Sequence, residues 1–279
     1  MDDRNVSPIF KFVIYLIMVL FAILAVYPIF WLIIQSFKTT QEYLLTNKLS
    51  FPKTWYFANY PYIWRVGKFG TLFLNSVFYS FVTVGSVVVL ALMAGFAFAK
   101  LNFKITPFLH GLFIIGILLT LQSIMVPLFL MVNAVKLYNT RIGVLIPYIG
   151  LGLPMGVYLC TEFIKSIPGE LVESARIDGS GYLHIFARII FPMCTPVAVT
   201  LAIISFTATW NEFMLINILT SKDAIKSLPV GIARFAGALG TDYGRQFAGL
   251  VIGLVPILVF YGIFRNQITK GVAAGAVKG

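Results

Sequence analysis

Charged residues are scarce in this chain. They account for 11% of its 279 residues, whereas hydrophobic residues account for 59%, and the mean hydropathy is +0.92. A soluble globular domain carries roughly 25% charged residues. This shortage of charge excludes an ordinary soluble domain and predicts a protein embedded in a lipid bilayer.

Residues that support catalysis or metal binding are equally few. The two cysteines, Cys160 and Cys194, lack metal-ligand spacing, and we expect them to pack in the interior. The two histidines, His110 and His184, cannot supply the clustered set that a membrane-embedded enzyme needs. The Gly-x-x-x-x-Gly-Lys-Ser/Thr loop that cradles nucleotide phosphates is also missing. We therefore predict no catalytic residue, no metal site and no cofactor in this chain.

Long stretches without charge predict how the chain crosses the bilayer. Six stretches of at least nineteen residues contain no Asp, Glu, Lys or Arg, and a helix needs about 20 apolar residues to span a membrane. The predicted fold is an all-α membrane protein with six transmembrane helices, near residues 12–36, 72–98, 108–132, 143–162, 194–216 and 246–264. The first stretch is too long for a secretory signal, so we expect a retained helix.

Basic residues outnumber acidic ones, 21 to 10, but they are dispersed along loops and helix ends. Dispersed basic residues suit contact with solvent and lipid headgroups, and we predict no nucleic-acid partner. An even number of spans places both termini on one side of the membrane. With the termini inside, ten Lys and Arg residues lie inside and eleven outside, so the charge bias does not determine the orientation.

One loop, residues 165–193 between the fourth and fifth spans, gathers charge, glycine and an amphipathic repeat. Its first helix should start near Pro168, since an early proline and an acidic first turn suit a helix N-terminus. The helix should end at Gly179, because glycine best tolerates a left-handed cap. Glu173 and Arg176, three residues apart, are expected to pair on its exposed side.

A second helix in the same loop is predicted from Tyr182 to Pro192, where the proline should end it. Its apolar residues recur with the helical period and form one stripe, namely Tyr182, Ile185, Phe186, Ile189 and Ile190. Two helices joined at Gly179 would form an elbow that protrudes toward a soluble partner. The amphipathic helix could instead lie on the membrane surface.

The spacing within this loop resembles the EAA loop of ABC importer permease subunits, which is Glu-x-Ala, three residues, Gly, nine residues and Ile-x-x-Pro. The residues that carry the pattern and its neighbours here are Glu173, Ser174, Ala175, Asp178, Gly179, Ile189 and Pro192. Asp178 is typical of the sugar-transporting branch, whereas Ser174 replaces the usual alanine and Phe191 the usual leucine. The resemblance implies that these residues couple the subunit to an ATPase.

The resemblance extends over the chain from about residue 8 to residue 279. It includes Asn139-Thr140 with Gly143, Trp210-Asn-Glu-Phe213, Leu228-Pro-Val-Gly231, Pro256 and an ending, Gly271–Gly279, similar to that of the maltose-type permease subunit. It implies a single permease domain over residues 1–279 with the type I ABC importer permease fold, in a bacterial plasma membrane with both termini cytoplasmic. The tail 271–279 should not form a stable helix by itself. It is either a frayed terminus or a segment that inserts at the ATPase dimer.

The resemblance also implies a function and partners. The expected protein is the permease subunit of an ATP-driven importer that carries an oligosaccharide by alternating access. Expected partners are a second homologous permease subunit, two ATPase subunits that bind ATP and magnesium, an extracytoplasmic solute-binding protein, the lipid bilayer and the sugar. An importer for a polyol or glycerol phosphate is an alternative. An ion-coupled secondary carrier is another, but it would usually bury a carboxylate at mid-membrane, and none of the six spans has one near its centre.

Polar residues within the spans are candidates for the substrate path, because each is costly in lipid and should face the interior. On the fifth span Ser205, Thr209 and Glu212 share one face, and Asn211 lies on the opposite side. Gln122 adds an amide on the third span. Hydroxyls and amides suit a sugar, although the same groups could instead form hydrogen bonds between helices.

Overall fold

The computed structural model of the protein describes residues 8–101, 103–237 and 240–276. Its helices, in chain order, are α1 (Pro8–Gln35), α2 (Thr40–Leu45), α3 (Asn59–Arg65), α4 (Phe69–Lys100), α5 (Thr106–Ile117), α6 (Leu121–Ala134), α7 (Arg141–Lys165), α8 (Glu170–Ile177), α9 (Tyr182–Ile185), α10 (Phe191–Met193), α11 (Thr195–Asn211), α12 (Met214–Leu219), α13 (Leu228–Ala233) and α14 (Tyr243–Ala276). A π-helical turn, Phe186–Ile190, joins α9 to α10, and a 3₁₀ turn spans Asp223–Ile225. Strands β1 (Ala236–Gly237) and β2 (Gly240–Thr241) pair antiparallel.

The helices confirm the all-α membrane fold predicted from composition. Four of them, α1, α4, α7 and α14, contain single stretches long and apolar enough to cross a bilayer. Two further spans are bent pairs of helices rather than straight rods. One pair is α5 with α6, bent by 109°, and the other joins the helical segment Tyr182–Met193 to α11 at 76°. Six spans result when each bent pair crosses the membrane once.

The span predicted near residues 108–132 is formed by two helices, α5 and α6, and not by one continuous helix. Helix α5 ends in tighter hydrogen bonds, in which the N–H of Leu118 donates to the carbonyl of Ile115 at 3.0 Å. Thr120 is then extended, with ψ 142°, and α6 starts at the next residue. No charge or proline marks this position in the sequence, so hydropathy alone could not reveal the break.

The fifth predicted span, residues 194–216, is also interrupted. Helix α11 ends at Asn211, and Glu212 adopts an extended conformation with ψ 128°. The Glu212 carboxylate then accepts the N–H of Leu215 at 2.7 Å. A side-chain acceptor that satisfies the free N–H groups at the start of α12 stabilises the new helix in place of a continued one.

Helix α14 extends further than the composition of the tail suggested. It continues through Ala276, although the Gly- and Ala-rich residues from 271 onward were expected not to form a helix alone. Adding residues to an existing helix avoids the costly nucleation step that an isolated segment would face. Residues 277–279 lie outside the described part of the chain.

The chain divides into two compact units. The first consists of Met1–Phe69 with Ile232–Val255. In it, the ammonium of the buried residue Lys38 donates to the carbonyl of Asn47 at 3.3 Å and to Oγ of Ser50 at 3.2 Å. Burial lowers the pKa of Lys38 from its ordinary 10.5, and the nearby Glu42 carboxylate acts in the opposite direction. These bonds fix the loop that follows α2.

The second unit consists of Gly70–Gly231 with Pro256–Gly279. Its larger hydrophobic cluster, called here the inner core, joins α4, α7 and α11 with residues of the loop 165–193. The buried members of the inner core are Val87, Ala91, Leu92, Phe96, Val157, Cys160, Ile164, Ile167, Val172, Ala175, Ile185, Ile190, Cys194, Val197 and Leu201. Cys160 and Cys194 are free cysteines in this cluster, which agrees with the packing role predicted for them.

Close contact between α4 and α7 depends on glycine. A Cβ atom at Gly95 would lie 2.9 Å from Cβ of Cys160 and 3.0 Å from the backbone N of Thr161. We expect Gly95→Val to separate the helices and to destabilise the protein by about 1–3 kcal/mol, the usual cost of overpacking. The thermal unfolding temperature of the purified protein measures this effect. Gly85→Val on the same helix is the matched control, since a Cβ there meets nothing within 4 Å. Equal unfolding temperatures for the two variants would contradict the packing role of Gly95.

Candidate functional site: a two-armed elbow and a polar cavity

The elbow, residues 165–193, turns at Gly179. Helix α8 forms its first arm and starts two residues later than the predicted Pro168. The N–H of Gly179 donates to the carbonyl of Arg176 at 3.1 Å, and the N–H of Ser180 donates to the carbonyl of Ala175 at 2.9 Å. These two bonds form a Schellman cap, which needs a left-handed residue. Gly179 has φ +81°, so the predicted role of this glycine in the turn is confirmed.

Both arms of the elbow are anchored in the inner core. Val172 and Ala175 of α8 are buried there, as are Ile185 and Ile190 of the second arm. Phe186 and Ile189 are half-buried against the same cluster. The predicted stripe therefore faces protein, except for the exposed Tyr182. This packing does not support the alternative in which the stripe lies on the membrane surface.

The tip of the elbow exposes apolar side chains beside its carboxylates. Ile177 is 86% exposed and Leu183 is 77% exposed, on either side of Gly179. Glu173 and Asp178 are also exposed. Sequence reasoning missed Ile177 and Leu183, although the position of Leu183 off the apolar stripe of the second helix was a usable signal. An exposed surface that combines apolar and acidic groups is suited to contact with a soluble protein.

Arg176 bridges the two arms. Its predicted partner was Glu173, but its guanidinium Nη1 donates to the carbonyl of Ser180 at 3.0 Å. The same guanidinium lies 4.6 Å from the ring centre of Tyr182, a cation–π contact. These contacts connect the end of the first arm with the start of the second, and they favour motion of the elbow as one piece.

The residues of the EAA-like pattern divide into exposed and packed positions. Glu173, Ser174, Asp178, Gly179 and Pro192 are exposed, Ile189 is half-buried and Ala175 is buried. The second helix was predicted to end at Pro192 and ends one residue later, at Met193. Pro192 is the second residue of α10 and is separated from the π-helical turn Phe186–Ile190 only by Phe191. The change of direction comes at Cys194, before α11.

A cavity of about 280 Å³ lies within the second unit. Most of its surface is apolar, and it is called here the polar cavity because five polar residues contribute to its lining. Its polar lining comes from three elements, α4, α7 and the end of α11, and consists of Thr83, Tyr148, Ser205, Thr209 and Glu212. The predicted face of Ser205, Thr209 and Glu212 therefore does line one space. Apolar walls are Leu119, Leu121, Leu151, Gly152 and Ala208. Leu119 enters this space because the helix breaks between α5 and α6.

Thr83 and Tyr148 were missed by sequence reasoning. Thr83 Oγ1 is buried and makes no hydrogen bond to the described residues. The Tyr148 hydroxyl donates to Glu212 Oε2 at 2.5 Å. Polar residues on different helices have no fixed spacing in sequence, so only the packing of α4, α7 and α11 reveals their grouping.

Glu212 has a structural task in addition to lining the cavity. Its carboxylate accepts the N–H of Leu215 at 2.7 Å, the N–H of Ile216 at 3.2 Å and the Tyr148 hydroxyl. One side chain thus holds α7 against the start of α12. The break in the fifth span and the position of α7 are therefore linked through one carboxylate.

Two candidates for the substrate path lie elsewhere on the chain. Asn211 is exposed, and its side-chain amide donates to the carbonyl of Thr207 at 2.9 Å. Gln122 is exposed on the first turn of α6. Neither residue lines the polar cavity.

The Asn139-Thr140 pair and Gly143 build the start of α7. Thr140 Oγ1 accepts the N–H of Gly143 at 3.0 Å and caps the helix. A Cβ atom at Gly143 would lie only 2.1 Å from the carbonyl oxygen of Leu137, so a side chain does not fit there. Asn139, with φ +63°, accepts the N–H groups of Ser221 and Lys222 on its Oδ1. These residues organise one end of the spans.

Within the described residues, no group of three or more His, Cys, Asp and Glu side chains could hold a metal ion. The structure instead combines several membrane-spanning segments, a polar cavity between them and an exposed elbow rooted in their core. This combination defines a multi-pass transport permease.

Comparison with known proteins supports that class. A family model described as "Binding-protein-dependent transport system inner membrane component" matches residues 88–270. The trehalose transport system permease protein SugB of Mycobacterium tuberculosis is 34% identical over 91% of this chain and 93% of its own. The arabinooligosaccharides transport system permease protein AraQ of Halalkalibacterium halodurans is 31% identical over 99% of both chains.

A solved structure shares the fold. A chain from a bacterial ABC transporter involved in the import of the acidic polysaccharide alginate superposes with a TM-score of 0.81, covering 94% of this chain and 99% of that one. Its sequence identity of 21% supports the fold alone. The chain described here belongs to the family of binding-protein-dependent transport system inner membrane components.

Proposed function

We propose that this chain is the permease subunit of an ATP-driven importer and carries an oligosaccharide across a bacterial plasma membrane by alternating access. The elbow is the observation that carries the proposal. Its tip is exposed, and both of its arms are buried in the same core as α4, α7 and α11. Motion of a partner bound at the tip would therefore reach the spans as a rigid-body displacement.

The chain has no nucleotide-binding loop, so ATP and magnesium would bind to a partner. The proposed complex contains two ATPase subunits, a second homologous permease subunit and an extracytoplasmic solute-binding protein. Glu173, Ser174, Asp178 and Gly179 would form the contact with one ATPase subunit, while Ala175, Ile189 and Pro192 keep the elbow in shape. Because ATP is cytoplasmic, this contact requires the elbow and both termini to face the cytoplasm.

The polar cavity is the proposed part of the substrate path. Hydroxyl groups of Thr83, Ser205 and Thr209 can exchange hydrogen bonds with a hydroxyl-rich solute. Among the described lining residues, Glu212 is the only charged one. A lone carboxylate in a membrane-embedded space repels an anion, which favours a neutral sugar over glycerol phosphate. Gln122 and Asn211, exposed on this chain, would join the path only where the second permease subunit covers them.

Sugar transport is supported by the names of the relatives. Besides the trehalose and arabinooligosaccharides permeases, similar proteins are a diacetylchitobiose uptake permease of Streptomyces coelicolor and a multiple sugar-binding transport permease of Streptococcus mutans. These names differ in sugar, so they support the class of solute and not one member of it.

An ATPase assay tests the proposed function. The complete complex is reconstituted with its solute-binding protein, and ATP hydrolysis is measured with a panel of neutral oligosaccharides, polyols and glycerol phosphate. We expect stimulation by at least one oligosaccharide and none by glycerol phosphate. Stimulation by glycerol phosphate alone would contradict the sugar assignment. Solute uptake that persists without the ATPase subunits would contradict the ATP-driven mechanism.

A further inference from the structure

The segment that connects α1 to α4 exposes many large apolar side chains. Between residues 44 and 66 the exposed ones are Leu44, Leu45, Leu49, Phe51, Trp55, Tyr56, Phe57, Tyr62, Trp64 and Val66. This segment lies outside the predicted spans, where such side chains would otherwise face water. So many exposed apolar side chains within one short segment indicate a contact with a membrane or another protein.

The same segment is positively charged. Lys48, Lys53, Arg65 and Lys68 are exposed. The sequence contains no Asp or Glu between Glu42 and residue 162. Glu42 itself is half-buried, and its Oε1 accepts the backbone N–H of Lys53 at 2.6 Å. The exposed charge of the segment is therefore of one sign, which suits an anionic partner.

Contacts with α1 place this segment at the end of a membrane span. Trp31 Nε1 donates to the carbonyl of Lys48 at 2.8 Å. The rings of Phe30 and Phe51 pack edge to face, with their centroids 6.4 Å apart. Helix α1 ends at Gln35, so Trp31 lies about 6 Å from that end at a rise of ~1.5 Å per residue. The chain thus folds back beside the last turn of the span. This is the depth at which aromatic side chains meet lipid headgroups.

Buried polar contacts hold the segment in this position. Lys38 bonds to Asn47 and Ser50. The side-chain amide of Asn59 donates to the carbonyls of Ser36 at 2.8 Å and Lys38 at 2.9 Å. Both sides of the segment are therefore tied to the residues that follow α1. Its apolar and basic side chains are presented from a fixed backbone.

We propose that residues 44–66 form an interfacial anchor that rests in an anionic bilayer surface. The leucine and aromatic side chains enter the boundary between headgroups and acyl chains, as they do in amphipathic anchors. Lys48, Lys53, Arg65 and the adjacent Lys68 keep their apolar stems against the surface and extend their charges to lipid phosphates. The anchor fixes the height of the α1 end in the bilayer. Charge of one sign and depth beside α1 favour lipid over a protein partner.

Labelled cysteine variants of the complete complex test this anchor. Cys160 and Cys194 are buried, so a cysteine placed at Leu45 or Trp64 can be labelled selectively with a polarity-sensitive fluorophore. In vesicles of phosphatidylglycerol and phosphatidylcholine, we expect blue-shifted emission that is quenched by lipids spin-labelled just below the headgroup. Ile177→Cys, at the exposed tip of the elbow, is the control site and should not be quenched.

The role of charge is tested by a second variant. Replacing Lys48, Lys53, Arg65 and Lys68 by Gln should reduce the quenching at the Leu45 position without abolishing it, because the leucine and aromatic side chains still enter the bilayer. High salt or pure phosphatidylcholine should reduce it in the same way. Quenching that is equal in all these conditions would overturn the role of the basic residues. A probe that is not quenched by lipid, and that responds only to added solute-binding protein, would overturn the anchor and identify a protein-docking surface. ATPase stimulation, measured in parallel, tests the proposed function separately.

Discussion

Gly179→Pro is expected to abolish substrate-stimulated ATP hydrolysis while leaving the chain inserted in the membrane. Gly179 has φ +81°, whereas proline is fixed near φ −65°, so the Schellman cap cannot form. The elbow would then lose the turn that places Ile177 and Leu183 at its tip. The measurement compares ATPase stimulation and the amount of co-purified ATPase between the variant and the unmodified complex. Deletion of residues 173–179 should have the same effect.

Two alanine variants distinguish a specific effect on the turn at Gly179 from a general sensitivity of the loop to substitution. Gly181 has an ordinary φ of −75° and nothing within 4 Å of an added Cβ, so Gly181→Ala should retain normal coupling. A Cβ atom at Gly179 would also have no atom within 4 Å, but an alanine in the left-handed backbone conformation costs roughly 1–2 kcal/mol. Coupling in Gly179→Ala should fall between the other two. Normal stimulation and normal ATPase binding in Gly179→Pro would exclude the elbow as the coupling element.

The elbow could be predicted from the sequence because its signals are local. A glycine at the turn, an acidic first arm and an apolar stripe with helical period all lie within one loop. The approximate limits of α1, α4 and α7 and the start of α14 followed from the absence of charge in a similar way. Each of these features depends on residues that are near one another in the chain, so no knowledge of packing was needed.

The breaks in the third and fifth spans could not be predicted by the same reasoning. Hydropathy measures only whether a stretch of residues suits lipid. Leu118-Leu119-Thr120, where the helix breaks, is as compatible with lipid as the same stretch would be within an unbroken helix. Helices α5 and α7 approach each other closely just before the break, since a Cβ at Gly116 would lie 2.9 Å from the Pro154 ring, and hydropathy does not describe such a contact. At Glu212 the carboxylate caps the start of α12 and also bonds to Tyr148, 64 residues away. Neither contact has a signature in the spacing of residues.

The polar cavity also combines features that the sequence of one helix predicts with features that depend on the packing of several helices. Helical periodicity correctly placed Ser205, Thr209 and Glu212 on one face of α11 and its extension. It could not find Thr83 or Tyr148, because these residues join the cavity from other helices. Polarity within the predicted spans also suggested Gln122 and Asn211, whose place in a path depends on surfaces outside this chain. Periodicity identifies which residues share a face of one helix, whereas packing determines which residues of other helices that face contacts.

Glu212→Ala is expected to reduce transport strongly while the subunits still assemble. The substitution leaves three donors without their acceptor, namely the Tyr148 hydroxyl and the N–H groups of Leu215 and Ile216. An unsatisfied buried polar group costs roughly 1–3 kcal/mol, so the start of α12 and its tie to α7 should loosen. Uptake in proteoliposomes, the unfolding temperature and the yield of intact complex are the three measurements.

Conservative variants distinguish the structural task of Glu212 from a need for its charge. Glu212→Gln keeps an acceptor oxygen for the N–H groups of α12, and Tyr148→Phe removes only the bond to α7. If capping is the main task, Glu212→Gln should retain most of the unfolding temperature and of the transport, and Tyr148→Phe should lie between it and Glu212→Ala. Glu212→Gln that folds normally but fails to transport would show that the negative charge itself is needed. Unchanged uptake in Glu212→Ala would remove this residue from the substrate path, because the cavity would then work without the only charged side chain among its described lining residues. An unchanged unfolding temperature would show that the cap adds no stability.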